Sequence, residues 1–189
     1  DLVFGEKVPA VQHHIARILK LAAPEQIAFA PNTHEFVMRL LSCFDWSKPL
    51  TVVTTDSEFH SFHRQINRLC ELTTVNVIRV PTEPFATFPQ RLEAAVAAQP
   101  VDLVFFSQVF FNSGVGIKDL ATLVQALDKV TDAMIVVDGY HGFMAVPTDL
   151  SAIAERVFYL AGSYKYAQGG EGCCFLAVPK HSEHRPIYT

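Results

Sequence analysis

The chain has 189 residues, of which 50% are hydrophobic and 18% are charged, and its formal net charge is −4 at pH 7. This composition is typical of one folded domain with a sizeable core and excludes a disordered protein. The sequence has no dense lysine and arginine cluster for nucleic acid, and no apolar run of the roughly 20 residues that cross a bilayer.

The cysteines and the N-terminal residues indicate the compartment. The four cysteines lack the spacing of a metal site, and a bridge between the adjacent pair Cys173 and Cys174 would strain the backbone. The N-terminal residues do not have the pattern of a signal peptide. We therefore expect a reducing, cytoplasmic location and no membrane partner. Neither end of the chain has a natural boundary, and we expect a domain truncated at both ends.

Helices and strands alternate along the first half of the chain. Apolar residues recur at helical period over residues 6–22, and short apolar runs bounded by turn residues predict strands. The predicted elements are a helix at 6–22, a strand at 26–30, a helix at 36–44, a strand at 50–55, a helix ending near 72, and a strand at 75–80.

The second half continues the alternation and completes the predicted fold. Its predicted elements are a helix at 88–99, a strand at 101–107, a helix at 118–130, a strand at 133–137, a short helix at 149–156, and strands at 157–161 and 173–178. The last two strands have no room for a helix between them, so they should be antiparallel. The sequence predicts a three-layer αβα fold with a seven-stranded, mostly parallel sheet.

The first strand leads directly into a helix through Asn32, Thr33, His34 and Glu35. Asn32 and Glu35 have the spacing of a capping box. Free N–H groups at a helix N-terminus can hold a phosphate, so Thr33 and His34 are candidate phosphate-binding residues. An ordinary capped helix explains the same pattern.

The loop after the second strand contains Asp56, Glu58, Phe59, His60 and His63. Phe59 or His60 could stack on a flat heterocycle at the carboxyl end of the strand. The acidic and histidine side chains could instead bind a metal. A third interpretation is that the aromatic residues pack on the core at the start of a helix.

Asp138 ends the fifth strand, and Lys165 follows the sixth strand at the start of a glycine-rich loop. A carboxylate that keeps a pyridine nitrogen protonated and a lysine that forms a Schiff base are requirements of pyridoxal 5′-phosphate chemistry. The carboxyl ends of parallel strands converge on one crevice, so the carboxylate and the lysine should lie beside the phosphate-binding helix end and the aromatic face. Few other cofactors need all four features. A metal-dependent hydrolase using Asp56, Glu58, His60, His63, Asp138 and His141 remains an alternative.

The segments V-D-G-Y-H-G-F and S-Y-K-Y-A-Q-G-G-E-G resemble the class V aminotransferase group of fold type I pyridoxal-phosphate enzymes, and the S-Y-K-Y form is most similar to the kynureninase-like branch. The resemblance implies that the chain is the large cofactor-binding domain, residues 1–189, without the small C-terminal domain. It also implies a homodimer and a small-molecule amino-acid substrate. An aminotransferase is the first expectation, and a kynureninase-like or cysteine desulfurase-like lyase is the alternative.

The resemblance implies a role for each candidate residue. Lys165 would carry the cofactor as a Schiff base, Asp138 would pair with its pyridine nitrogen, and His141 would lie near its phenolic oxygen. Phe59, or less favourably His60, would stack on the ring. Thr33, His34, Tyr164 and backbone amides would form the phosphate seat. Cysteine desulfurases usually have histidine in place of Phe59 and S-x-H-K around the lysine. Either Phe111 or Asn112 would face the cofactor.

Overall fold

The computed structural model describes residues 1–188, and residue 189, the end of the predicted domain, lies outside that description. A π-helical turn at Val3–Lys7 precedes the first α-helix. The five α-helices are α1 (Val8–Leu19), α2 (Thr33–Leu41), α3 (His60–Leu72), α4 (Phe88–Ala97) and α5 (Leu120–Asp128). Short 3-10 turns at Pro24–Gln26 and Phe85–Thr87 complete the helical elements.

Seven strands form one sheet. They are β1 (Ile27–Ala30), β2 (Leu50–Thr55), β3 (Val75–Val80), β4 (Leu103–Ser107), β5 (Met134–Asp138), β6 (Val157–Gly162) and β7 (Cys174–Ala177). Their order across the sheet is β1-β7-β6-β5-β4-β2-β3. The predicted fold class is therefore confirmed, with a mixed α/β chain and a mostly parallel sheet.

The directions of the strands decide where the site can form. β2, β3, β4, β5 and β6 are parallel to one another, and β7 is antiparallel to both β6 and β1. The two reversals at β7 leave β1 parallel to β6. The carboxyl ends of β1, β2, β4, β5 and β6 therefore lie at the same edge of the sheet.

The helices cover both faces of the sheet. One apolar cluster joins α1, α4 and α5 to one face, and the other joins α2 and α3 to the opposite face. Within β4, Val104 and Phe106 belong to the first cluster, whereas Leu103 and Phe105 belong to the second. Because strand side chains alternate between faces, an uninterrupted apolar strand is needed where both faces are buried.

Several predicted boundaries differ from the structure. The short helix predicted at 149–156 is absent, and this stretch forms consecutive turns. Its hydrogen bonds run from Ile153 N to Leu150 O and from Arg156 N to Ile153 O, both three residues apart, so no α-helical ladder develops. The helix predicted to 22 ends at Leu19, because Lys20 takes a left-handed conformation with φ 57°. None of the helices within residues 1–188 is long and apolar enough to span a membrane.

Phe105 on β4 and Phe62 on α3 provide a test of the core on the α2/α3 face. Their rings stack with centroids 3.8 Å apart, and each side chain is 2% exposed. We expect Phe105→Ala to lower the free energy of unfolding by about 3–5 kcal/mol, because it leaves a cavity between helix and sheet. Urea unfolding followed by circular dichroism measures the loss. Phe4→Ala is the matched control, since Phe4 is 74% exposed; equal losses in the two variants would contradict this account of the core.

Candidate functional site

A cavity of about 280 Å³ opens at the edge of the sheet where the parallel strands end. Its wall combines strand-end and loop residues from five strands, namely Asn32, Thr33, Phe59, Ser107, Val109, Asp138, Tyr140, His141, Tyr164 and Lys165. The structure thus brings together six residues singled out from the sequence, Thr33, Phe59, Asp138, His141, Tyr164 and Lys165. Convergence follows from strand direction, since each of these residues is at or just beyond a strand's carboxyl end.

Asp138 is the buried acid of the cavity. It ends β5 and is 7% exposed, and its Oδ1 accepts a hydrogen bond of 2.9 Å from the Tyr140 N–H. Burial raises the pKa of Asp138 to about 6, although the Tyr140 N–H and the charge of Lys165 act in the opposite direction. Within the described residues Oδ2 has no hydrogen-bond partner. A cation or N–H donor in the cavity would therefore stabilise the ionised carboxylate.

Lys165 supplies the amine of the cavity. Its Nζ contacts His141 Nε2 and lies 5.6 Å from the centre of the Phe59 ring and 5.4 Å from that of Tyr140. Burial lowers the pKa of Lys165, and the charge of Asp138 partly opposes this shift. No ion pair joins Lys165 to Asp138 in the part of the chain that the structure describes. The two groups face the same space without neutralising each other by contact.

Phe59 forms an aromatic wall of the cavity. Its ring meets His141 edge-on at 6.4 Å and Phe111 edge-on at 5.3 Å, and the side chain is 39% exposed. His60 touches the same aromatic group but does not line the cavity. Phe111 and Asn112 do not line the cavity either. Phe111 packs against Phe59, and Asn112 Nδ2 donates to Ser57 Oγ at 3.0 Å. From the same loop, Val109 lines the cavity.

The N-terminus of α2 forms another side of the cavity. Asn32 caps the helix by accepting the Glu35 N–H at 3.0 Å, as the predicted capping box requires. Thr33 is buried, and its hydroxyl donates to Ser61 Oγ at 3.0 Å. The His34 side chain does not reach the cavity; it is exposed, and its Nδ1 lies 3.0 Å from Gln65 Nε2. At position 34 only the backbone N–H remains available to an anion at this helix end.

Close approach to glycine shapes the wall. The Tyr140 ring packs directly on Gly162, the last residue of β6, and a Cβ there would overlap ring carbon atoms. Tyr159 packs on Gly139 in the same way. These contacts let the turn after β5 fold back over the end of β6, which carries His141 towards Lys165.

Four cavity residues were not singled out from the sequence: Asn32, Ser107, Val109 and Tyr140. Ser107 ends β4 and is paired in register with Asp138, so its position at a strand end was an available signal. Tyr140 lies between the two singled-out residues Asp138 and His141. Asn32 was assigned only a capping role. Val109 has no polar or ionisable group that would mark it as a site residue in the sequence.

The residues of the alternative metal site are not brought together. No group of three or more histidine, cysteine, aspartate or glutamate side chains within residues 1–188 could hold a metal ion. Glu58 accepts hydrogen bonds from Thr55 and Ser107, whereas His63 lies on the surface of α3 with its Nε2 3.0 Å from Asn67 Nδ2. The metal-dependent hydrolase has no site in this geometry.

Comparisons with known proteins agree with this arrangement. The family model described as Aminotransferase class-V matches residues 3–187, whereas no curated protein matches the chain. Among solved structures, a cysteine desulfurase from Thermococcus onnurineus NA1 is 19% identical with a TM-score of 0.76, over 92% of this chain and 43% of that one. A cystine C–S lyase is 19% identical with a TM-score of 0.76, over 91% and 45%.

An aminotransferase from Mycobacterium tuberculosis is 18% identical, with a TM-score of 0.68 over 92% of this chain and 50% of that one. At these identities the structural likeness shows a shared fold. The chain spans about half, or less, of the length of each of these proteins.

The buried acid gives the site a measurable pH dependence. In the folded chain, burial raises the pKa of Asp138 from 3.8 to about 6. The folded state therefore holds this proton more tightly than the unfolded state, and stability should fall as pH rises between these two values. Asp138→Asn removes the ionisation but keeps an acceptor for the Tyr140 N–H. We expect the variant to match the original chain at low pH and to exceed it at pH near 8 by up to about 3 kcal/mol in free energy of unfolding.

Urea unfolding of the cofactor-free chain across this pH range measures the difference. Asp132→Asn is the control, because this exposed residue precedes β5 on the surface. A variant that is less stable than the original chain at high pH would contradict the inferred cost of burying the Asp138 charge.

Proposed function

Because the chain belongs to the class V aminotransferase family, whose cofactor is pyridoxal phosphate, we propose that its cavity binds this cofactor for chemistry on an amino acid. The observation that carries the proposal is that Asp138 and Lys165 line one cavity without forming an ion pair. A bound pyridine ring between them would use both groups.

The cavity residues fit the chemical groups of pyridoxal phosphate. Asp138 Oδ2 has no hydrogen-bond partner within residues 1–188 and suits a protonated pyridine nitrogen. Phe59 offers an aromatic face to the ring, and Lys165 offers an amine to the aldehyde. The Tyr164 hydroxyl and the N-terminal amides of α2, including the Thr33 N–H, offer donors to the phosphate. When bound, the cofactor supplies an electron sink for bonds at the substrate Cα.

The protein groups divide the remaining tasks. Asp138 would stabilise positive charge at the ring nitrogen, and Phe59 and Val109 would exclude water beside the ring. His141, in contact with Lys165 Nζ, orients the amine. Because burial lowers the pKa of Lys165, more of its amine is neutral and able to attack the aldehyde or accept a proton from the substrate Cα. These steps are common to transamination and to lyase reactions.

We assign transamination first and a carbon–sulfur or carbon–carbon lyase second. Two features favour the first assignment over cysteine desulfurization: phenylalanine at position 59 and tyrosine at position 164, where the resemblance associates desulfurases with histidines. The fold shared with a cystine C–S lyase keeps the second assignment. Amino transfer to a 2-oxo acid by the whole protein, measured against sulfide release from cysteine, separates them; sulfide release alone would reverse the order.

We also propose that the whole protein is a cytoplasmic homodimer. Phe59 and Tyr164 line the cavity and are 39% and 52% exposed, and Phe111, which contacts Phe59, is 41% exposed. Exposed side chains of this kind are suited to burial by a second copy beside the site. Light scattering that finds only a monomer of the whole protein would count against the dimer.

The proposed amine is tested by covalent trapping. Incubation with pyridoxal phosphate should give a yellow chain, and borohydride should fix the cofactor on Lys165 as a stable secondary amine. Lys165→Ala should lose the fixed label, since the attacking amine is gone. Peptide mass spectrometry locates the label. Lys180→Ala, at an exposed lysine, is the control; equal labelling of Lys165→Ala and the original chain would overturn the proposal.

The stacking face is tested by a pair of neighbouring variants. Phe59 lines the cavity and His60 does not, so Phe59→Ala should weaken pyridoxal phosphate binding about tenfold, while His60→Ala should change it little. Fluorescence titration of the cofactor measures both dissociation constants. A larger effect of His60→Ala would move the stacking role to that residue.

A further inference from the structure

Glu58 is a buried acid that the proposed chemistry does not use. It lies between the end of β2 and the start of α3 and is 7% exposed. Its Oε1 accepts from Thr55 Oγ1 at 2.6 Å and from Ser107 N at 3.1 Å, and its Oε2 accepts from Ser107 Oγ at 2.6 Å. The carboxyl therefore joins the loop that carries Phe59 to the end of β4, where Ser107 lines the site cavity.

A second, smaller cavity lies on the other side of Glu58. Its volume is about 120 Å³, and it shares no lining residue with the site cavity. Its wall consists of Thr54, Thr55, Asp56, Glu58, Phe62, His63, Ile66 and Arg79. Thr54 is 1% exposed, and its hydroxyl has no partner within residues 1–188. A polar cavity with an unpartnered hydroxyl is suited to ordered water.

Groups near Glu58 act on its ionisation in opposite directions. Asp138 on β5 faces it across Ser107, and Asp56, His63 and Arg79 line the second cavity. Burial, the largest effect, and the charge of Asp138 together raise the pKa of Glu58 to about 7, whereas the hydrogen bonds donated by Ser107 and Thr55 act in the opposite direction. Two buried carboxyls separated by one side chain resist ionising together.

The hydrogen bonds around Glu58 can accept either protonation state. Thr55 and Ser107 both bond to it through hydroxyl groups, and a hydroxyl can rotate to accept as well as donate. When the carboxyl is protonated, its O–H can donate to Ser107 Oγ. The Ser107 proton is then free to turn towards the site cavity.

We propose that Glu58 is a positioning residue whose neutral carboxyl fixes Ser107 in the wall of the site cavity and exchanges its proton with water in the second cavity. A neutral Glu58 adds no second negative charge beside Asp138, which faces the proposed ring nitrogen. This consequence for the cofactor rests on the proposed function, whereas the acid itself can be tested without any cofactor.

Infrared spectroscopy of the cofactor-free chain, labelled with carbon-13 in the glutamate carboxyl groups, tests the proposal. At a pH about one unit below the Glu58 pKa of about 7, the chain should show a protonated glutamate band that disappears as pH rises through that value. Glu58→Gln should lack the band. Glu71→Gln, at an exposed position near the end of α3, should keep it.

If Glu58→Gln does not fold, the Ser107→Ala variant and the original chain in heavy water test the same carboxyl. Ser107→Ala removes a donor that stabilises the ionised carboxyl, so the band should persist to higher pH. Transfer of the original chain to heavy water should shift the band promptly, because water in the second cavity exchanges the proton. The absence of the band below pH 7 would overturn the neutral form, and a band that resists heavy water would overturn the exchange route.

Discussion

The burial of Asp138 is the constraint on which the rest of the site depends. A carboxylate at the end of a central strand gives up most of its hydration, and the chain returns only one backbone hydrogen bond and a distant positive charge. Such a group is tolerated because β4 and β6 hold β5 on both sides. The unfavourable charge becomes useful when a cation enters the cavity, so the site exchanges some stability for binding.

The remaining site residues reach Asp138 through strand direction. Thr33 follows β1, Phe59 follows β2, Val109 follows β4, and Lys165 follows β6. No two of these are close in sequence, and their side chains meet because their strands end at one edge. The antiparallel β7 does not interrupt this arrangement. Strand direction reverses between β6 and β7 and again between β7 and β1, so β1 ends at the same edge as β6.

The sequence was sufficient to predict structural elements where the local pattern and the tertiary environment favour the same structure. All seven strands, the capping residue Asn32 and the strand-end residues Asp138 and Lys165 follow from apolar runs and turn chemistry. The prediction of a helix at 149–156 was wrong: Leu150 N donates to Leu19 O on α1, and the hydrogen bonds within the stretch join residues three apart. Long-range contacts were out of reach, including the pairing of β1 with β7 and the bond between Glu58 and Ser107.

The side chain of His34 shows the same limit at one residue. Its position after a strand predicted a site role, but the helical turn directs it towards Gln65 on α3. Sequence identifies which segment reaches the cavity, whereas the rotation of the helix decides which atoms do. Local pattern alone does not specify that rotation, because it depends on packing between α2 and α3.

The edge position of β1 has a consequence for biosynthesis. Within residues 1–188, β1 pairs with β7 alone, and β7 is translated after the five other strands of this sheet. At translation rates of roughly 5–20 residues per second, β7 is synthesised on the order of ten seconds after Phe29 and its neighbours in β1. During this interval an unpaired apolar edge is open to strand pairing with other nascent chains, and a chaperone that shields it would protect the assembly of the cavity.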